Sequence, residues 1–232
     1  MELHAKAFIL ITKTENTEEK KMTLETSKTL GGIGAILLFI GVIPFFQYTW
    51  VIGIVGAILI LVALRGLANY YKEGGIFSNA LYGVAIIIVG GIITSILAFA
   101  VVLSNLKDLL MQLYPGWNGE WSTLQGMTPN TNIDPSAIFP LIGGLLVVLV
   151  IVWVFAIIAA FFIYRSLKQV SNKSNVGLFG TAGLLLLIGA IVPLIGLILM
   201  WVAALLLAIA FFTLKTIEQP IPTSGLPPPT TV

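Results

Sequence analysis

The chain contains no cysteine and only one histidine, His4. Without cysteine it has no disulfide bonds, thiolate metal sites, iron–sulfur clusters or cysteine nucleophiles. A haem between membrane helices usually takes histidine as its axial ligand, and a histidine this close to the N-terminus lies outside any apolar bundle. The sequence therefore predicts a protein without a metal ion or other cofactor.

Charged residues are also scarce. Of the 232 residues only 9% are charged and 58% are hydrophobic, and the mean hydropathy is +1.03. A soluble domain usually carries about 25% charged residues, so this chain has too few to cover a soluble surface. The composition excludes an ordinary cytosolic enzyme, a disordered protein and a nucleic-acid binder. The net charge of +2 is too small to indicate a polyanionic partner.

Long stretches without Asp, Glu, Lys or Arg divide the chain. They cover residues 29–64, 74–106, 135–164 and 174–214. A membrane-spanning helix needs about 20 mostly apolar residues, and continuous apolar runs lack the alternation of barrel strands. The first and last runs are too long for one crossing, and each contains a proline that favours a hairpin turn, Pro44 or Pro193.

These runs predict an all-α fold, a polytopic transmembrane bundle of about six helices. The predicted helices cover about 29–46, 49–68, 78–104, 138–164, 175–192 and 194–214. Counts of four or five are the alternatives, because residues 175–214 would also fit one long helix kinked at Pro193. The helical domain, 29–215, lies between an N-terminal segment, 1–28, and a proline-rich tail, 216–232, that we expect to be disordered.

Two further segments carry specific expectations. The loop 105–136 begins with leucines at helical spacing, which either extend the third helix or lie on the membrane surface. The aromatic residues that follow favour an anchor at the membrane interface. A lid or a recognition site for a partner is the alternative. Near the N-terminus, Met22 opens a compact lead into the first helix, so we expect translation to start there and residues 1–21 to be dispensable.

The positions of the basic residues predict the orientation. Six helices place both termini and the connections 65–73 and 165–173 on one side, which then holds 11 of the 12 lysines and arginines. Only Lys107 lies on the other side. The positive-inside rule assigns the rich side to the cytoplasm. The sequence therefore predicts a multi-pass protein of the cell membrane with both termini cytoplasmic.

Five of these basic residues lie close to the predicted membrane boundary, where they are candidate contacts for anionic lipid. They are Arg65, Lys72, Arg165, Lys168 and Lys173. Each contributes about 1 kcal/mol of attraction to anionic lipid heads.

Glycine is concentrated in the predicted helices, where small residues let membrane helices approach closely. Spacings of three and seven residues place several of them on shared helix faces. The candidate helix-packing glycines are Gly34, Gly41, Gly83, Gly90, Gly180 and Gly183. Glycines lining a pore or forming a hinge are the alternative.

The predicted helix interiors contain no acid, no histidine and no lysine. Ion-coupled transport and intramembrane catalysis both depend on such groups, so we expect neither a coupled transporter nor an enzyme. Thr94, Ser95 and Thr181 are the main candidates for buried polar residues. Trp153 and Trp201 are expected to pack between helices, with the wall of a binding pocket as the alternative.

Two segments of the chain are similar to each other. Residues 29–41 read TLGGIGAILLFIG and residues 177–189 read GLFGTAGLLLLIG, with six of 13 positions identical and a proline shortly after each. The match indicates either a parallel repeat of two helical hairpins or a chance similarity of apolar sequence.

The lead 23–34 (TLETSKTLGGIG), together with the segments 68–72 (ANYYK) and 76–83 (IFSNALYG), resembles an uncharacterised, largely archaeal membrane family, domain of unknown function 996. The resemblance covers about residues 22–216. It implies a membrane protein, but it brings no functional residues because none is established for the family.

Two functions follow as hypotheses. The first is a non-catalytic structural or accessory membrane component whose partners are membrane lipids and a membrane protein or a second copy of itself. The second is a channel or facilitator for a small neutral solute or a lipid.

Overall fold

In the computed structural model, residues 23–41, 49–130 and 135–215 are described, and they form six α-helices and two short 3-10 turns without a β-strand. The expectations for residues 1–21, the turn at Pro44 and the tail 216–232 lie outside the described residues. The helices are α1 (Thr23–Gly41), α2 (Thr49–Tyr71), α3 (Gly74–Leu113), α4 (Phe139–Ser174), α5 (Gly177–Ile191) and α6 (Pro193–Thr213).

Helices α3 and α4 are longer than the apolar runs that predicted them. α3 continues through the amphipathic leucines to Leu113, and α4 continues through its basic residues to Ser174. Leucine, methionine, lysine, arginine and glutamine are all good helix formers, so a helix does not have to end where its apolar run ends. α4 ends at Asn175, which adopts the left-handed conformation (φ 57°) that terminates many helices.

The helices form three antiparallel hairpins, α1–α2, α3–α4 and α5–α6. In α5–α6 the Phe179 and Phe211 rings meet edge to face at 5.0 Å, and Gly189 lies against Gly196 near the turn. Val192 alone separates the two helices. Pro193 therefore starts a second helix, as predicted, and the alternative of one long kinked helix over 175–214 is wrong.

The two similar segments occupy equivalent places in their hairpins. Gly41 and Gly189, which align in the repeat, both lie where the two helices of a hairpin cross, Gly41 against Gly53 and Gly189 against Gly196. Both hairpins also begin at the same end of the bundle, where Leu24 and Phe179 are buried. This geometry has the parallel orientation that the repeat predicted.

The buried core lies at one end of the bundle, where α2 meets α3 and α4 meets α5. Its largest fully buried side chains come from all six helices: Leu24, Leu67, Ile76, Leu167, Val170, Phe179, Phe211 and Leu214. Towards the other end most large apolar side chains are exposed. Such a surface suits contact with lipid tails and would be unfavourable in water.

Five helices are long and apolar enough to span a membrane: α1 from Thr23, α2 from Val51, and α3, α4 and α6. Together with the absence of strands in the described segments, they confirm the predicted all-α membrane bundle. The sixth helix, α5, has only 15 residues. Six complete crossings therefore remain a prediction from the sequence.

Candidate functional site

The five candidate lipid-binding residues lie at the end of the bundle that contains the core. Arg65 and Lys72 belong to the end of α2 and its connection to α3, and the other three to the last turns of α4. All five side chains are exposed. They form a basic surface, defined here as Arg65, Lys72, Arg165, Lys168 and Lys173.

The members of the basic surface differ in their partners. The Lys173 ammonium lies 3.1 Å from the Glu73 carboxylate, which ties α4 to the α2–α3 connection. The Arg65 guanidinium lies over the Phe77 ring of α3 at 5.8 Å, and the Arg165 guanidinium lies over the Phe161 ring of its own helix at 5.9 Å. A guanidinium stacked on a ring keeps its N–H donors available for an anion.

Charge is distributed unequally between the two ends. In the described segments the core end also holds Lys28 and Lys215, and its acids are Glu25 and Glu73. The opposite end holds Lys107, Asp108 and Glu120. The described residues therefore keep the asymmetry of the sequence, with the excess positive charge around the core.

The six glycines predicted to pack helices each lie against a neighbouring helix. A Cβ atom added at Gly34 would lie 2.7 Å from the Gly56 carbonyl oxygen, and one at Gly90 would lie 2.7 Å from Phe155 Cγ. The remaining contacts join Gly41 to Gly53, Gly83 to Ile163, Gly180 to Ser171 and Gly183 to Leu167. A larger residue at Gly34 or Gly90 would push the two helices apart.

Of the three hydroxyls expected inside the bundle, only Thr94 is buried, and it donates to the Gly90 carbonyl at 2.7 Å. Ser95 and Thr181 are exposed, so that expectation is wrong for both. Both lie on helix faces without a covering neighbour.

Two serines that the sequence did not mark as candidates are also buried, Ser27 and Ser166. Ser166 donates from α4 to the Ile76 carbonyl of α3 at 2.6 Å, and Ser27 donates to Thr23 in its own helix at 2.8 Å. Ser166 follows Arg165 in a charged segment, so no apolar pattern marked it as buried.

Trp153 and Trp201, expected to pack between helices, are exposed, but each bonds to a carbonyl of another helix. Trp153 of α4 donates its indole N–H to the Ala190 carbonyl in the last turn of α5 at 2.8 Å. Trp201 of α6 donates to the Phe39 carbonyl near the end of α1 at 3.0 Å and stacks on the Phe39 ring. The last carbonyls of a helix have no partner within it and are costly to leave unpaired in lipid. The Trp153 contact therefore ties the end of α5 to α4, and the Trp201 contact ties α1 to α6.

The loop after α3 is folded where the structure describes it. Trp117 is buried, donates to the Glu120 carbonyl at 2.7 Å and packs edge to face on Trp121. The Asn130 N–H donates back to the Leu113 carbonyl at 2.6 Å and closes the segment. In the described residues no three His, Cys, Asp or Glu side chains gather in a way that would hold a metal ion.

With the geometry in place, the chain was compared with known proteins. The sequence model of a family described as "Protein of unknown function (DUF996)" matches residues 52–205, about two thirds of the chain. The chain belongs to the DUF996 family. The match confirms the resemblance drawn from the segments at residues 23–34, 68–72 and 76–83, and it covers α2 to α6 apart from the ends of α2 and α6.

A curated relative of this DUF996 chain is an uncharacterized protein of the archaeon Methanocaldococcus jannaschii. The two are 28% identical over 196 residues, which is 84% of this chain and 94% of the relative. No solved structure matches the chain. The family and the relative therefore establish descent and leave the function to be argued from the residues.

Proposed function

We propose that this DUF996 protein is a non-catalytic structural or accessory component of the cell membrane. In this role the bundle holds a fixed shape in the bilayer and offers its surface to lipids and to a membrane protein partner or a second copy of itself. The basic surface lies at the cytoplasmic boundary, and both termini lie in the cytoplasm.

The observation that carries the proposal is that four polar side chains of the bundle bond to main-chain carbonyls. Ser166, Trp153 and Trp201 donate across helix interfaces to main-chain carbonyls, at 2.6, 2.8 and 3.0 Å. Thr94 donates within its own helix. Groups bonded in this way hold the helices in register and are not free to activate a substrate or pass a proton.

The distribution of charge supports the orientation. The core end carries seven of the eight described basic residues. Since cytoplasmic segments of membrane proteins are enriched in Lys and Arg near the helix ends, this end belongs in the cytoplasm.

Purification in mild detergent followed by mass spectrometry of bound proteins and lipids tests the proposed role. A tagged full-length chain isolated from its own membrane should bring down a membrane protein in fixed proportion or be isolated as a defined oligomer. A monomeric, partner-free preparation that accelerates the flux of a small neutral solute into liposomes, relative to protein-free liposomes, would contradict it. That result would favour a channel or facilitator instead.

A further inference from the structure

Helices α2 and α3 pack together near their two-residue connection, and their large side chains become exposed farther from it. Near the connection Leu67 of α2 and Ile76 of α3 are buried in the core. Above it, the large side chains of α2 that point away from α1 are exposed: Val51, Ile54, Val55, Ile58 and Val62. Beyond Ala80 the buried residues of α3 are Gly83, Gly90 and Thr94, and both glycines pack on α4. The outer parts of the two helices therefore present apolar faces that no other helix covers, and the space next to these faces is here named the α2–α3 cleft.

Arg65 lies at the base of this cleft. It precedes the last residue of α2, Tyr71, by six positions, which places it about 9 Å inside the helix end. Its guanidinium reaches across to the Phe77 ring of α3. No carboxylate in the described segments forms an ion pair with Arg65, and the nearby Glu73 pairs with Lys173. An arginine this close to the end of a membrane helix can extend its long side chain to the interface, where lipid phosphates are available to its guanidinium.

The residues above Arg65 continue the same helix face. Val51, Ile58, Arg65 and Lys72 follow at intervals of seven residues, and Lys72 is the first residue after the helix. On α3, Phe77, Leu81 and Ile88 share a face by their spacing of four and seven. Because Arg65 and Phe77 touch, these faces turn towards each other. The cleft is thus cationic at its base and apolar above.

We propose that the α2–α3 cleft binds one anionic phospholipid. The phosphate accepts hydrogen bonds from the Arg65 guanidinium and lies near the Lys72 ammonium, and an acyl chain fills the space between Ile58 and Ile88. A guanidinium matches the geometry of a phosphate group better than any other side chain. This inference goes beyond the structural role proposed above and holds or fails independently of it.

A helix from a second copy of the chain would fit the cleft less well. The described segments contain four acids. Glu25 and Asp108 lie near helix ends, Glu73 lies in the α2–α3 connection, and Glu120 lies in the loop after α3. None lies in the apolar part of a helix, where it could reach Arg65 from a helix packed in the cleft. A lipid provides both the anion and the chain.

Native mass spectrometry of the full chain in mild detergent, titrated with phosphatidylglycerol or phosphatidylcholine, tests the headgroup contact. We expect preferential retention of phosphatidylglycerol, weakened about tenfold by Arg65→Gln because the charged hydrogen bonds are lost. The control Lys215→Gln removes one positive charge from the same end and should change binding less than about twofold. Equal losses in both variants, or equal binding of the two lipids, would overturn the proposal.

A second pair of variants tests the cleft itself and does not depend on the folding of the Arg65 variant. Space is open at both Gly91, above Ile88 on α3, and Gly143 on α4. Gly91→Leu should fill the cleft and weaken phosphatidylglycerol binding at least severalfold, whereas Gly143→Leu should leave binding unchanged. Displacement of the lipid by free inorganic phosphate would show that the cleft binds an anion but does not hold an acyl chain. That result, or a second copy of the chain in place of the lipid, would overturn the proposal.

Discussion

At the scale of single residues, the bundle is held by contacts between side chains and helix ends that lie far apart in the sequence. Trp201 and Phe39 are separated by 162 positions, and Trp153 and Ala190 by 37. The Trp153 N–H bonds to a carbonyl in the last turn of α5, where a helix has no partner of its own to offer. These bonds give both indoles a structural role although their side chains are 39% and 40% exposed, and the binding-pocket alternative stays a prediction.

Trp201→Phe removes the donor but keeps an aromatic ring against Phe39. We expect the free energy of unfolding to fall by about 1–2 kcal/mol, because the Phe39 carbonyl loses its partner in an apolar environment. Unfolding by sodium dodecyl sulfate, followed by circular dichroism, measures the change. The control is Trp121→Phe, at an exposed position in the loop after α3. A loss of similar size in both variants would contradict the role assigned to the Trp201 bond.

The glycines allow a paired test in the same assay. Gly34→Ala would place a Cβ atom 2.7 Å from the Gly56 carbonyl oxygen, whereas Gly91→Ala would meet only open space. We expect the first variant to lose about 1–3 kcal/mol through forced separation of α1 and α2. The second should be unchanged or gain up to about 1 kcal/mol from the better helix propensity of alanine. Equal effects would show that Gly34 is not a packing contact.

At the scale of helices, much of the architecture could be predicted from the sequence. The charge-free runs indicated every helix, and Pro193 indicated the α5–α6 turn, because lipid imposes a length and a composition on each span. The sequence left open whether the amphipathic leucines extend α3, and the end of α4 was not predictable, since the helix continues into basic residues. Nor was the α2–α3 cleft, which depends on which faces of the two helices their neighbours leave uncovered. For the same reason the sequence named Arg65 among five basic residues but could not separate it from them.

The short α5 leads to a prediction about the α5–α6 turn. Fifteen residues extend about 22 Å, less than the roughly 30 Å of hydrocarbon in a bilayer. The turn residues 191–194 are all apolar, and Trp153 fixes the last turn of α5 to α4 at a point 14 residues from the start of α4. α4 therefore continues about 21 Å past that point. We expect the hairpin to turn inside the apolar layer and to return to the side where it began.

Because the chain has no native cysteine, a single Leu194→Cys substitution is a clean reporter of this turn. Leu194 is 95% exposed in the structure, so only the bilayer would shield it. We expect no reaction with a membrane-impermeant maleimide from either side, and full reaction after denaturation. Labelling from outside the cell would instead support six complete crossings, as the sequence analysis predicted.

At the scale of the whole molecule, the buried core, the excess positive charge and the open ends of the three hairpins lie at the same end of the bundle. All three hairpins have their buried ends where the positive charge is concentrated, and the glycine contacts continue along the exposed apolar part. A packed basic end stabilises the bundle near one membrane surface and leaves the other parts of the helices in contact with lipid. The proposed orientation is the same whether α5 and α6 cross the bilayer or turn within it, because the hairpin returns to the same side in both cases.

Two further single-cysteine variants test this orientation. Asn172 is exposed near the end of α4, at the end of the bundle with the basic surface. Ser122 is exposed in the loop after α3, at the opposite end. If the basic end faces the cytoplasm, Ser122→Cys should react with an impermeant maleimide in intact cells, and Asn172→Cys should react only after the membrane is permeabilised. The unsubstituted chain, which cannot react, gives the background signal. The opposite pattern would place the basic end outside, and the proposal of a cytoplasmic basic surface would then be wrong even if the lipid site at Arg65 is correct.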